Sequence, residues 1–351
     1  MLNIDNYKVT ISSNIKDAVR KMDEGGIGFC VCVDGIDSVV GVLSDGDFRR
    51  AVLNGSSLDQ PVGKILNCDF VSVDSNYRQE DIKNIFLTSE FLHLPVIENG
   101  KLIDIITQEE CFGIKKEDNK RIIDIPVVIM AGGQGKRMDP FTRILPKPLI
   151  PVKDEPIIEV IMNDFNKFGV NQFYLSINYK ARMIKAYFHD QELPFSISFV
   201  DEDKPLGTAG ALKKLENEFN TPFFVSNCDI ILRTDYKSVL DFHKRGSYAL
   251  TIVASMRHFT IPYGVCDVSN DGELKNISEK PEYDFLVNTG VYILEPKVLK
   301  LLPKDSYFDM PDLITKIKEN KLRVGVFPVS ERSWSDVGQW SEYADTVKFF
   351  T

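Results

Sequence analysis

The sequence predicts an α/β protein. Its larger, C-terminal part is built on a mixed, mainly parallel sheet, and its smaller, N-terminal part is an α+β pair. Three observations predict this. The run Val127-Val-Ile-Met-Ala131 is short and apolar throughout, as suits a parallel strand buried on both faces. From Pro126 onward, strand-like and helix-like stretches alternate. Before residue 120 the chain repeats itself once.

In the first copy, Ser13-Asn14 precedes a helix expected over residues 15–22, followed by strands over 29–33 and 39–43. In the second, Ser75-Asn76 precedes a helix over 80–86 and strands over 94–97 and 102–106. Each copy closes on a hydroxyl with an acid three residues later: Ser44 with Asp47, then Thr107 with Glu110. Lys115-Lys-Glu-Asp-Asn-Lys-Arg121 is charged and unpatterned, and it reads as a linker. The expected division is 1–120, with repeats near 5–60 and 65–112, and then 121–351. The duplicated half resembles a CBS-domain pair. The resemblance implies that Ser44, Asp47, Thr107 and Glu110 flank a regulatory site for an adenine nucleotide, the acid accepting from a ribose diol. Glu110 departs from the usual aspartate. The same spacing is also a helix capping box, which needs no ligand.

After the apolar run comes Gly132-Gly-Gln-Gly-Lys-Arg-Met138. Gly132, Gly133 and Gly135 let backbone N–H groups form a concave anion nest. Walker A is excluded, because Met130 stands where its first glycine belongs and Arg137 replaces the hydroxyl. The dinucleotide fingerprint is excluded by Met138. Downstream, Lys136, Arg137, Arg143, Lys147 and Lys153 stand against a single acid, Asp139. A helix is expected over 156–168, with Ile157, Ile158, Ile161, Phe165 and Phe168 on its apolar face and Gly169 as the stop. A strand over 223–226 leads to Asn227-Cys-Asp229.

The chain has 351 residues, 43% apolar and 26% charged, with net charge −9. That balance argues against a broad nucleic-acid surface. No apolar run approaches the ~18 residues of a membrane span, and no leader pattern opens the chain. The six cysteines and four histidines are scattered without zinc-ligand spacing. Buried, reduced cysteines in a cytoplasmic protein are expected.

From Met130 to Leu149, including Arg137 and Pro146-Lys-Pro-Leu149, the chain resembles the signature of sugar-1-phosphate nucleotidyltransferases (NDP-sugar pyrophosphorylases). Lys136 stands where many members carry threonine. Further matches follow in family order: Pro205-Leu-Gly-Thr-Ala-Gly-Ala211, Asn227-Cys-Asp229, Pro262-Tyr-Gly-Val265, Glu279-Lys-Pro281, Asn288-Thr-Gly-Val-Tyr292 and Trp334-Ser-Asp-Val-Gly338. The pattern is most similar to mannose- and heptose-1-phosphate guanylyltransferases. With a CBS pair in front, it is similar to glucosamine-1-phosphate guanylyltransferases of bacterial legionaminic acid synthesis.

The resemblance implies a Rossmann-like domain that joins an NTP to a sugar 1-phosphate with Mg2+. It implies nucleotide binding by Ala131, Gly132, Gly133, Gly135, Lys136, Arg137, Glu202, Gly207, Thr208 and Ala209. It assigns sugar-phosphate binding to Gly264, Glu279, Lys280, Asn288 and Thr289, and the metal to Asp229 and Asp336. The catalytic set is Arg137, Lys147, Asp229, Lys280 and Asp336. Arg137 would hold the departing phosphates, Lys147 the α-phosphate and Lys280 the sugar phosphate. Glu202, five positions before Gly207, is acceptor-only and could take the N1–H and N2–H of guanine. GTP is therefore the expected nucleotide. UTP, dTTP or CTP in the same fold is a second reading, and a regulatory subunit that senses adenine nucleotides is a third. A homo-oligomer without nucleic-acid or membrane partners is expected.

Overall fold

The computed structural model describes residues 4–89, 91–112, 122–152, 154–340 and 342–343. The charged stretch expected as linker, and Lys153, lie outside the described residues. The chain divides into two compact units, Met1–Asn119 and Lys120–Thr351.

The first unit runs β1 (Lys8–Thr10), α1 (Ile15–Gly25), β2 (Phe29–Val33), β3 (Val39–Ser44) and α2 (Asp45–Leu53). It then repeats as α3 (Gln79–Thr88), β4 (His93–Glu98), β5 (Lys101–Thr107) and α4 (Gln108–Phe112). α1 begins where Asn14 Oδ1 accepts from the Asp17 N–H at 2.7 Å and ends at Gly26, whose φ of 72° stops it. β1 and β2 pair in parallel around it, and β2 pairs antiparallel with β3. In the second copy β4 and β5 pair antiparallel, while the counterpart of β1 shrinks to the bridge Val73↔Val96. α3 opens after Arg78, which makes no side-chain cap, and Asn76 sits in a turn closed by Asp74.

Alternation in β2 sorts its side chains into two cores. Cys30 and Cys32 pack with Ala18, Met22 and Leu43, while Phe29 and Val31 meet Leu102 and Ile105 of the second copy. Both hydroxyl–acid pairs are capping boxes. The Ser44 N–H donates to Asp47 at 2.9 Å, and the Asp47 N–H to Ser44 Oγ at 3.4 Å. Thr107 and Glu110 repeat this at 3.3 and 3.1 Å. These bonds start α2 and α4. Glu110 also borders a cavity of about 260 Å³ beside Tyr77, Ile82, Asp104 and Cys111.

The second unit runs β6 (Val127–Met130), α5 (Phe141–Ile144), β7 (Pro151–Val152), β8 (Glu155–Pro156), α6 (Ile157–Asn166), β9 (Gln172–Ile177), α7 (Ala181–His189), β10 (Ser196–Asp201) and α8 (Gly207–Gly210). It continues through β11 (Phe223–Asn227), β12 (Ile230–Leu232), α9 (Tyr236–Gly246), β13 (Leu250–Thr260), β14 (Val265–Val268), β15 (Leu274–Ser278), β16 (Glu282–Leu294), α10 (Met310–Glu319), β17 (Val324–Val329) and β18 (Trp334–Asp336). Seven strands form the central sheet in the order β10-β9-β6-β11-β16-β13-β17. β16 runs antiparallel to both its neighbours, and every other adjacent pair is parallel.

Alternation again decides the layers. Val127 and Ile129 join the core under α6 and α9, while Val128 and Met130 join the core under α10. Both faces are covered, which is why β6 carries no polar residue. α6 buries Ile157, Ile158, Ile161, Met162 and Phe165, and Gly169 at φ 87° turns the chain out of it.

Candidate active site

The site gathers at the C-terminal ends of the parallel strands, where main-chain direction changes and polar backbone becomes available. β6 runs into the glycine loop. The Ala131 N–H still bonds the Ser176 carbonyl at 2.8 Å, so Ala131 is the last rung of the sheet and not a free donor. A side chain on Gly133 would meet nothing within 4 Å. Gly135 holds φ 67°, and a Cβ there would lie 2.8 Å from Thr142 Cγ2 and 3.1 Å from Lys147 Cβ. This close approach explains the third glycine. Buried Met138 anchors the turn that carries Lys136 and Arg137 outward.

Lys147 lies on the turn Lys147–Leu149, is largely buried, and forms an ion pair with Asp229. Arg137 Nη2 approaches the same carboxylate oxygen at 3.9 Å. Asp229 follows β11, and Asp336 ends β18. The antiparallel pairing of β12 with β18 sets Ile230 opposite Asp336, and the Val337 N–H bonds the Asp229 carbonyl at 2.9 Å. Two acids distant in sequence become neighbours through that pairing. A Cβ on Gly338 would stand 2.5 Å from Lys147 Nζ, 2.7 Å from Asp336 Oδ1, and closer still to Asp229 Oδ2. Glycine at 338 leaves that space to the three charged groups. The neighbouring Cys228 thiol is pushed up to about 12 by burial and then by the Asp229 charge, so it is no nucleophile.

Residues 126–351 match the Nucleotidyl transferase family model. The chain belongs to the nucleotidyl transferase family. Residues 3–54 and 62–115 match the CBS domain, so a CBS pair precedes the nucleotidyl transferase unit. The mannose-1-phosphate guanyltransferase of Saccharomyces cerevisiae is 33% identical over 229 residues, 62% of each chain. The UTP–glucose-1-phosphate uridylyltransferase of Synechocystis is 29% identical over 242 residues, 63% of this chain and 62% of that one. The match thus spans less than two thirds of these relatives. Among solved structures, HddC from Yersinia pseudotuberculosis is 27% identical with a TM-score of 0.52, covering 65% of this chain and all of that one. HddC complexed with GMP-PN aligns at 25% identity and 0.51.

Within the nucleotidyl transferase unit, the base-side residues form a second group. Glu202 is buried. One carboxylate oxygen accepts from Ser176 Oγ at 2.7 Å and the other from the Leu206 N–H at 3.0 Å. A Cβ on Gly132 would lie 2.5 Å from Glu202 Oε1, so the glycine loop and this carboxylate adjoin. Gly207 holds φ 79°, and its missing Cβ leaves room for the Phe308 carbonyl. The Thr208 N–H and Oγ1 donate to Asp309 at 2.9 and 3.0 Å, and the Ala209 N–H bonds Phe308 O at 3.0 Å. These groups fasten α8 to the start of α10.

The expected sugar-phosphate residues separate into two environments. Thr289 is closed off: its Oγ1 donates to the Val253 carbonyl at 2.8 Å, where β13 and β16 shift register. Asn288 Nδ2 bonds the Tyr292 hydroxyl at 2.7 Å. Gly264, Glu279 and Lys280 instead stand exposed beside the β14–β15 hairpin, with Lys280 at φ 46°. Ion pairs join Arg137 and Lys147 to Asp229, with Asp336 beside them across Gly338, and Lys280 takes no part in these pairs. Sequence reasoning quoted Gly338 within a motif without giving it a role. It missed Trp340, whose Nε1 donates to the Asp139 carbonyl at 3.1 Å and whose ring packs on Phe141 at 4.8 Å. A lone aromatic near the end of the chain carries no sequence signal for such a contact.

Proposed function

We propose that the C-terminal unit transfers a guanylyl group from GTP to a sugar 1-phosphate, giving a GDP-sugar and pyrophosphate. The observation that carries the base choice is the buried Glu202 carboxylate beside Gly132. A carboxylate offers about four acceptor positions, and internal donors take two. The remaining pair suits the adjacent N1–H and N2–H of guanine. Uracil presents one N–H between two carbonyls, which a carboxylate would repel. The yeast mannose-1-phosphate guanyltransferase and HddC with GMP-PN support this reading. The uridylyltransferase relative marks the alternative.

A phosphate oxygen of the sugar 1-phosphate attacks the α-phosphorus. The new O–P bond forms as the α–β bridge bond breaks and pyrophosphate leaves. The attacking phosphate is already ionised, so no general base is required. The protein's task is to neutralise and position two polyanions. Free N–H groups of the glycine loop and the Arg137 fork suit the β- and γ-phosphates. Lys147 can turn from Asp229 to the α-phosphate, and exposed Lys280 is assigned to the sugar phosphate. Asp229 and Asp336 would hold Mg2+. Two carboxylates converging on a space kept open by Gly338 match its preference for few carboxylates with phosphate and water oxygens. When bound, the ion supplies charge neutralisation at the phosphates.

Pyrophosphate release measured across a panel of NTPs and sugar 1-phosphates tests the reading, with GTP expected to give the highest kcat/KM. In Glu202→Gln the GTP-to-UTP ratio of kcat/KM is expected to fall by ~10-fold, the value of about one charged hydrogen bond. An unchanged ratio would defeat the base assignment.

A further inference from the structure

We propose that Asn178-Tyr179-Lys180, between β9 and α7, is a clasp that sets the phosphate loop, with Lys180 as its positioning residue. The inference rests on the nucleotidyl transfer reading but not on the choice of base. Three consecutive residues reach three parts of the site, and every acceptor they take is a main-chain carbonyl. Asn178 Nδ2 donates to the Glu202 carbonyl at 2.6 Å. The Tyr179 N–H donates to the Gly132 carbonyl at 3.3 Å, and its hydroxyl to the Thr142 carbonyl at 3.1 Å. Lys180 Nζ donates to the Arg143 and Ile144 carbonyls at 2.6 and 2.7 Å.

Peptide geometry makes these bonds consequential. A trans peptide holds its C=O and N–H on opposite sides. Drawing the Gly132 carbonyl toward Tyr179 therefore aims the Gly133 N–H the other way, away from Tyr179. Thr142 Oγ1 does the same three residues on, donating to the Gly135 carbonyl at 3.1 Å and so turning the Lys136 N–H away from Thr142. Tyr179 and Lys180 in turn hold α5, which carries Thr142. The clasp keeps carbonyl oxygens, which would repel a phosphate, facing away from the cleft. Lys180 adopts φ 52°, a conformation a residue with a side chain holds when its surroundings fix it. Its ammonium neutralises the carbonyl end of α5 by donating to that helix's backbone.

The test is titration of the full chain with inorganic pyrophosphate and Mg2+, alongside steady-state kinetics, for Lys180→Met and Lys180→Arg. In Lys180→Met, the pyrophosphate Kd and the nucleotide KM are expected to rise together by ~10-fold or more, with kcat and the sugar 1-phosphate KM little changed. Lys180→Arg, which can still donate to both carbonyls, is expected to recover most of that loss. Lower kcat or melting temperature, with Kd and KM unmoved, would reduce the clasp to general stability and overturn the proposal. Wild-type chain that binds no pyrophosphate would overturn it as well. Pyrophosphate binding with turnover on UTP alone would overturn only the guanylyl assignment.

Discussion

Arg137 stands 62% exposed at the edge of the carboxylate cluster, its side chain open to a ligand. Removing one transition-state donor costs about 10²-fold or more. Arg137→Ala is therefore expected to lower kcat/KM by at least that factor while melting near wild type, because little packing is lost. Near-normal turnover would sink the assignment. Lys147 is the opposite case. Its side chain is 11% exposed and pairs with an Asp229 side chain that is 9% exposed. Lys147→Met leaves the buried Asp229 carboxylate with only the exposed Arg137 at 3.9 Å, which costs at most about 3–5 kcal/mol. Added Mg2+ should raise the melting temperature of this variant more than that of wild type, since a cation at Asp229 replaces the missing ammonium. Equal Mg2+ shifts in both proteins would argue against metal binding at Asp229.

Between residue and fold, the informative element is the β12–β18 pair. It is three residues long on each side, yet it brings Asp336 to Asp229 and leaves Gly338 between them. Gly338→Ala would place a methyl among three charged groups. A displacement of about 1 Å at a reacting centre can cost ~10²-fold. A loss of that order in kcat, with weaker Mn2+ binding by electron paramagnetic resonance, is expected, and unchanged Mn2+ affinity would count against the cradle. The motifs put Asp229 in one family segment and Asp336 with Gly338 in another, 107 residues on, but the strand pairing that joins them is not legible in the sequence, because pairing register depends on partners far along the chain. The capping boxes show the reverse. Ser44 with Asp47 and Thr107 with Glu110 were legible as boxes because the pattern is local, and their bonds start α2 and α4. Ser44→Ala is expected to destabilise the first unit by about 1 kcal/mol in denaturant melts.

Over the molecule as a whole, the pH response of the first unit follows from two buried groups of opposite sense. Burial pushes His93, stacked on Phe29 at 5.0 Å, down to about 4. The unfolded chain then binds more protons between pH 4 and 6.5, so the stability due to neutral His93 is present above 6.5 and lost as pH falls to 4. The whole shift corresponds to roughly 3 kcal/mol. Burial raises Asp45 to about 6, which favours the folded state at low pH and acts the other way. Comparing urea midpoints of wild type and His93→Gln from pH 7 to 4 isolates the histidine. The wild type should lose stability more steeply on acidification, and parallel curves would refute the assignment. What the sequence determined by itself was whatever short-range chemistry encodes: the duplicated half, the apolar β6 run, the glycine loop, the Gly169 stop and the residue types of the phosphate and metal groups. What only the tertiary structure decided was their mutual placement. It paired Asp229 with Asp336 and Lys147, closed Thr289 into a bulge, and bound Thr208 and Ala209 to α10. It also directed the Lys180 ammonium onto backbone carbonyls. Each of these depends on partners distant in the chain, which a local pattern of side chains does not specify.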